Sequence, residues 1–316
     1  MASSTTSTSV STSESPFTHE SALPARLKLL RWLGKQTWIP RGQDLLLRKI
    51  WSPDAGQHFL YEVDFFGLRY RGDLARFIDW VIFAYRSYSY CELCLLDALG
   101  KEIRTRRGAL HFIDVGANVG QHSLFMSVRA DKVYSFEPVK STCTVLEKQI
   151  SLNNLSNVLV SPYALGATDE VMKFHAGKSN NSGIGTFVPE PDVEYKDPID
   201  LQIRKGDDLL DEIGCTRVDL LKVDVEGFEE FVFRGLSRHI LEDRPAVLSE
   251  LSDRSREHFG SEEELRKLFW DGAVFADVSG RQGCSYVLKP FRFGETREML
   301  IVPPELGSFV QSRIVH

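Results

Sequence analysis

Two short stretches hold most of the residues able to do chemistry. LLKVDVEGFEEF (220–231) sets Lys222, Asp224 and Glu226 two apart at the end of an apolar run, just ahead of Gly227. Charged groups are costly at the edge of a core unless something there pairs or uses them. These carboxylates suit two tasks: taking the proton of a hydroxyl nucleophile as general base, or gripping substrate hydroxyls. With Glu250, which closes VLSE, Asp224 and Glu226 would also offer oxygen ligands to a hard divalent cation, which lowers the pKa of a bound hydroxyl. The structural alternative is an ion pair in which Lys222 neutralises a strand end. Glu229 and Glu230 read as helix-start carboxylates favoured by the macrodipole.

The second stretch, FIDVGANVGQHS (112–123), leaves an apolar run at Asp114 and turns through Gly116 and Gly120. Glycine there permits positive φ and lets a ligand approach the backbone without a Cβ in the way. The spacing is GxNxG, with Asn118 in the middle, and not the GxGxxG of a dinucleotide site. An acid ahead of the turn repels phosphate and suits a ligand with amino groups or positive charge. Glu137, which closes VYSFE ahead of Pro138, can accept two hydrogen bonds from a ribose diol. The isolated His122 and His175 read as capping or surface residues.

Something must bring these residues to one place. From residue 110 the runs LHFIDV, VYSFE, NVLVSPYAL, DLLKVDV and AVLSEL alternate with helical segments, the pattern of a parallel sheet with helices on both faces. Right-handed crossovers put every strand's carboxyl end on one edge, where all the candidate chemistry falls. Alternation along KVDVE turns Lys222, Asp224 and Glu226 to one side. The polar stretch 177–190, GKSNNSGIGTFVPE, reads as a mobile loop over that edge.

Upstream, residues 1–21 form a Ser/Thr-rich tail with little to bury, expected to be disordered. Residues 23–50 carry seven Lys or Arg against one Asp, with Leu23, Leu27 and Leu30 at helical spacing. This reads as a helix docked on its own domain with a solvated basic face, ahead of contact with a membrane surface. FLYEVDFFGLRY (59–70) is expected to turn as a hairpin at Gly67, and 73–100 to hold two packed helices. The expected organisation is a tail (1–21), a helical and hairpin subdomain (22–104) and a main domain (105–316).

The chain's 316 residues can bury a full core, and its net charge of −6 argues against non-specific nucleic-acid binding. Its five cysteines are an odd set, and the Cys91–Cys94 CxxC lacks a second pair at zinc spacing, so reduced structural thiols are expected. No apolar run approaches the ~18 residues of a membrane span, and no secretion signal is apparent. A cytoplasmic location is the expectation.

In this order, FIDVGANVGQHSLF, VYSFEP, NVLVSPYALG, the Asp207–Asp208–Leu209 run, DLLKVDVEGFEEFVFRG and RPAVLSE closely resemble the FkbM-type S-adenosylmethionine-dependent methyltransferases, over about residues 88–251. The resemblance implies a doubly wound α/β fold: a mostly parallel, seven-stranded, Rossmann-like class I methyltransferase sheet with its last strand antiparallel, here beneath a mainly helical N-terminal cap. It implies S-adenosylmethionine as cofactor and methyl transfer to a hydroxyl of a small molecule such as a sugar, glycan or polyketide-type metabolite. The cofactor-binding positions it implies are Asp114, Gly116, Asn118, Gly120, Glu137, Pro138 and Ala164. Glu92 of YSYCEL joins them where the family often has Gly-x-Tyr-Glu, although the Gly is missing. Lys222, Asp224, Glu226 and Glu250 are the candidate catalytic set read from the residues themselves; the resemblance does not settle between base, hydroxyl grip and a divalent cation held by the last three. A nicotinamide oxidoreductase or sugar-nucleotide epimerase would share the sheet, but no YxxxK occurs. A nucleic-acid methyltransferase would show Pro-Pro-aromatic or Pro-Cys, and neither is present. A non-catalytic cofactor-binding scaffold would have lost the acids at 224 and 226.

Overall fold

The computed structural model of the chain describes residues 15–36, 42–178, 185–189, 193–280 and 286–315. Most of the expected tail therefore lies outside the described residues. So does half of the expected 177–190 loop.

The N-terminal segment begins with β1 (Thr18–His19), α1 (Ala25–Gly34) and α2 (Gln43–Ile50). The hairpin of β2 (Leu60–Phe65) and β3 (Leu68–Asp73) turns at Phe66 and Gly67, both with positive φ, as a tight two-residue connection requires. With β1 these strands make a three-stranded sheet. Then come α3 (Phe77–Tyr85), apolar nearly all round and buried, and α4 (Tyr90–Arg107), which runs through the expected domain boundary at 104.

The main sheet follows as β4 (His111–Val115), α5 (Gln121–Ser127), β5 (Lys132–Phe136), α6 (Lys140–Leu152) and β6 (Val158–Ser161). An excursion of β7 (Ala164–Gly166), β8 (Glu170–Ala176), β9 (Gly185–Thr186) and β10 (Ile199–Lys205) pairs into a separate four-stranded sheet, of which only β9 falls within the expected 177–190 loop. The chain returns through α7 (Gly206–Glu212), β11 (Leu220–Val223), α8 (Glu229–Gly235), α9 (Ser237–Asp243) and β12 (Ala246–Glu250). It ends with α10 (Asp253–Phe259), α11 (Glu262–Lys267), β13 (Val274–Gly280), β14 (Tyr286–Pro290), β15 (Glu298–Val302) and α12 (Gly307–Gln311).

The main sheet has eight strands in the order β14-β13-β15-β12-β11-β4-β5-β6, which corrects the expected seven. The five strands from β12 to β6 are parallel, and β15 inserts antiparallel between β12 and β13. The extra strand, β14, folds back on β13 as a hairpin at the sheet edge. Alternate residues of the central strands enter two cores. Phe112, Leu220 and Leu248 face one side, and Ile113, Leu221 and Val247 the other. The first core runs without a break into the N-terminal Leu27, Leu30, Phe65 and Trp80. The segment before residue 104 thus closes one face of the sheet and shares its core.

Candidate functional site: a cleft at the carboxyl edge of the sheet

The ends of β4, β5 and β11 are stitched together before any side chain is considered. Gly116 and Ala117 N–H both donate to Phe136 C=O at 3.0 Å, and Asp224 N–H donates to Val115 C=O at 3.1 Å. Gly116 has φ +79°, and a Cβ there would collide with the Asp224 carbonyl; Gly120 has φ +90°, and a Cβ would meet the Leu146 side chain. Both glycines have the positive φ read from the sequence, and packing against the Asp224 carbonyl and against Leu146 of α6 requires them as well. Asn118 takes the left-handed conformation between them, at φ +50°.

Above this seam lies a cleft with about 1010 Å³ of empty space, its open mouth included. Gly116, Asn118, Glu137, Pro138 and Ala164 line it, and so do Lys222, Asp224 and Glu226 from across the seam. Val115, Phe136, Val139, Leu165, Phe187 and Phe228 supply apolar wall. A few polar groups converging in a mostly apolar concavity are what small-ligand sites have in common.

Glu137 is 6% exposed and accepts hydrogen bonds from Asn118 N–H (3.0 Å) and Val139 N–H (2.9 Å), one on each carboxylate oxygen. Burial pushes its pKa up to about 7, the two N–H groups pull against that, and Asp114 adds a further upward push. Each oxygen keeps a lone pair for a ligand hydroxyl.

Asp114, Gly120, Glu92 and Glu250 are not among the residues lining the cleft. Asp114 is fully buried beneath the turn, where Oδ2 accepts from Ser123 Oγ at 2.6 Å. It lies in register with Lys222 on the adjacent strand, so it acts on the cleft as a buried charge beside that lysine. Glu92, on α4, has Oε2 at 3.1 Å from His122 Nε2, ion-pair distance without hydrogen-bond alignment. Burial works against its charge, but His122 and Lys222 outweigh that and hold its pKa below the ordinary carboxylate value. His122 itself is buried at 8% exposure and lines the cleft, where a surface or capping role had been expected. His175, on β8, stacks edge-on against Tyr195 and is not among the lining residues.

Lys222 is 3% exposed, and its Nζ lies 3.0 Å from Asp224 Oδ2. Burial disfavours its charge, yet Asp224, Asp114 and Glu92 together raise its pKa, so the ammonium is held firmly. All three reach the one side that alternation predicted, but β11 ends at Val223, so only Lys222 lies within the strand. Asp224 and Glu226 are placed by the following loop. Glu226 has φ +53°, an uncommon conformation for a non-glycine that surrounding structure must enforce. Here its C=O accepts from Thr186 Oγ1 at 2.8 Å. Glu229, the first residue of α8, ties the same loop down: Oε1 accepts from Val225 and Gly227 N–H at 3.2 Å each, and Oε2 from Ser255 Oγ at 2.6 Å. It is a buried latch, beyond the dipole role read from sequence.

Carboxylate oxygens of Asp224, Glu226 and Glu250 come within 4.8 Å of one another. Burial, then Asp224, raise the pKa of Glu226 to about 7, against Arg254. Burial, then Asp224 and Glu226, raise that of Glu250 to about 8. Two members of this cluster were not found from sequence. Glu298 on β15 pairs in register with Glu250, and burial, then Glu92, push its carboxyl well above the ordinary range. Tyr88 lines the cleft, its phenol pKa raised by burial and then by Asp224, Glu226, Glu92 and Glu250. Its place in YSYCEL, four residues before Glu92, was the available signal for Tyr88.

A mixed sheet in this strand order, with an antiparallel strand inserted at one side and a glycine turn after its central strand, is the class I methyltransferase fold. Within that class the chain belongs to the FkbM family: the model of the methyltransferase FkbM domain matches residues 114–287, just over half of the chain. Among curated proteins it is 28% identical over 162 residues to "Methyltransferase 1" of Beauveria bassiana, covering 45% of this chain and 64% of that protein. It is 29% identical over 131 residues to the hexuronic acid methyltransferase AglP of Haloferax volcanii, covering 39% of this chain and 48% of that one. The aligned part thus spans less than two thirds of these relatives' length. Among solved structures it is similar to the methyltransferase FkbM of Methylobacillus flagellatus (TM-score 0.40, 16% identity, 62% of this chain and 44% of that one). It is also similar to the O-methyltransferase TomG of Streptomyces achromogenes, solved with its cofactor (TM-score 0.40, 11% identity, 67% of this chain and 78% of that one).

Proposed function

We propose that the protein is an S-adenosylmethionine-dependent O-methyltransferase acting on a hydroxyl of a small molecule. The observation that carries this reading is the pairing, in one cleft, of a buried diol-accepting carboxylate (Glu137) with a second carboxylate set (Asp224, Glu226) across a fixed seam. The residues fit the cofactor. Glu137 has acceptor capacity left for a ribose, and Phe136, Pro138 and Leu165 give apolar wall for a base. Bound there, the sulfonium would supply an activated methyl group for in-line displacement.

The chain's own part is to hold the acceptor and take its proton. Asp224, fixed by Lys222, is an oriented acceptor for a hydroxyl hydrogen. Glu226, with a pKa near 7, is matched to proton transfer at neutral pH, which typically adds ~10²–10⁴-fold in rate. A sugar or polyketide-type alcohol suits this end, and the uronic acid acceptor named for the Haloferax relative makes sugars the first acceptors to assay. A second reading rests on the mutual approach of Asp224, Glu226 and Glu250 within 4.8 Å, which would suit a divalent cation; chelator-sensitive turnover restored by Mg²⁺ would select it. We expect S-adenosylhomocysteine to bind by calorimetry and NAD to give no heat. Asp224→Asn and Glu226→Gln should retain binding and lose turnover. Heat with NAD alone would reverse the assignment.

A further inference from the structure

The α1–α2 layer presents a surface that the cleft does not use. Along α1 the outward stripe includes Lys28, Leu29 and Trp32, while Leu27, Leu30 and Gly34 on the opposite side are buried. On α2, Leu45, Leu46 and Lys49 face out while Leu47 is buried. Four large apolar side chains stand open here: Leu29 is 48% exposed, Trp32 54%, Leu45 69% and Leu46 42%. Single exposed apolar residues are ordinary, but four on two helices packed together exceed that scatter and point to a partner.

The charge around the patch identifies that partner. Residues 23–50 carry seven Lys or Arg against one Asp, although the whole chain is net −6; of these, Arg31 and Lys35 pair with Glu20, and Arg48 with Asp44 and Asp54. Lys28 and Lys49 take part in no ion pair among the described residues. We propose that this face docks on an anionic lipid bilayer, with Leu29, Trp32, Leu45 and Leu46 entering the headgroup boundary and Lys28 and Lys49 at the phosphates. Trp and Leu framed by flexible lysines are the composition of interfacial helices. Self-association fits the patch less well, since a two-fold contact sets a surface against its own copy and would crowd like charges together. No helix among the described residues is long and apolar enough to cross a membrane, so the contact would be peripheral. The layer adjoins the cleft: α1 packs on α3, with Arg31 donating to Phe83 C=O, and Ile78 of α3 lines the cleft.

The test is co-sedimentation of the full chain with phosphatidylcholine vesicles, with and without phosphatidylserine. Binding is expected only to the anionic vesicles and should weaken as salt is raised. Lys28→Gln and Lys49→Gln should each weaken it roughly fivefold. Trp32→Ala combined with Leu45→Ala should weaken it by about tenfold or more while thermal unfolding is unchanged. Equal binding to neutral vesicles, no binding to anionic vesicles at low salt, or binding indifferent to these substitutions would overturn the proposal. So would a concentration-dependent dimer abolished by Trp32→Ala, which would make the patch a self-association face.

Discussion

Replacing Glu250 by Gln should make the protein more stable at alkaline pH, although Glu250 sits at the centre of the candidate site. Burial and the neighbouring Asp224, Glu226 and Glu229 raise its pKa from the ordinary 4.5 to about 8. The folded state therefore holds this proton where the unfolded chain has released it. The associated stability is fully present below pH 4.5 and is lost as pH rises through about 8. At ~1.36 kcal/mol per pH unit the interval bounds the loss at about 5 kcal/mol. Because the side chain is partly exposed and shares its repulsion with three other carboxylates, about 2 kcal/mol is the working figure. Its Oε2 has no hydrogen-bond partner among the described residues, so the amide breaks no bond there. Glutamine never ionises, so the two proteins should unfold alike near pH 4 and diverge above pH 5. By pH 9 the variant should melt about 3 °C higher. Thermal unfolding by circular dichroism across that range measures it. A difference that is flat with pH, or a variant less stable above pH 8, would refute the account of a cluster loaded with mutual repulsion.

Further outcomes follow from the same geometry. Gly116→Ala forces a Cβ onto the Asp224 carbonyl at φ +79° and should cost about 2 kcal/mol or more in urea unfolding. Gly67→Ala, at φ +88° with open space around it, should cost only about 1 kcal/mol. Glu137→Gln should weaken S-adenosylhomocysteine binding about tenfold by calorimetry. In the wild type that affinity should rise as pH increases through about 7, where the carboxylate becomes ionised and a stronger acceptor. Glu229→Ala removes three hydrogen bonds from the 225–227 loop and should lower stability by roughly 3 kcal/mol, read from the shift in denaturant midpoint.

The central strands could be read from sequence because each is a β-rich run ending at a polar residue, and the hairpin because Gly67 breaks an alternating run. The cleft residues from 116 to 138 came with them, being local to two adjacent strand ends. The small sheet was missed because EVMKFHA and IDLQIRK are largely exposed strands, whose alternation has little apolar contrast. Glu298 was invisible for a different reason. REMLIV carries no motif, and its carboxylate reaches Glu250 only because β15 inserts antiparallel beside β12, a pairing between distant segments that no local window holds. Period-two alternation turned Lys222, Asp224 and Glu226 to one side but could not show what holds Glu226 there, a left-handed backbone and the buried Glu229.

The touching backbones of Gly116 and Asp224 also limit how the pocket can diversify. The loop that would meet the acceptor cannot be displaced to admit a bulkier molecule without loosening the turn that would meet the donor. Related proteins with other acceptors are therefore expected to differ at Ile78, Tyr88 and Phe187, which reach the cleft from elements outside that joint. On the proposed function, the joint would stay fixed and acceptor range would be set at the rim.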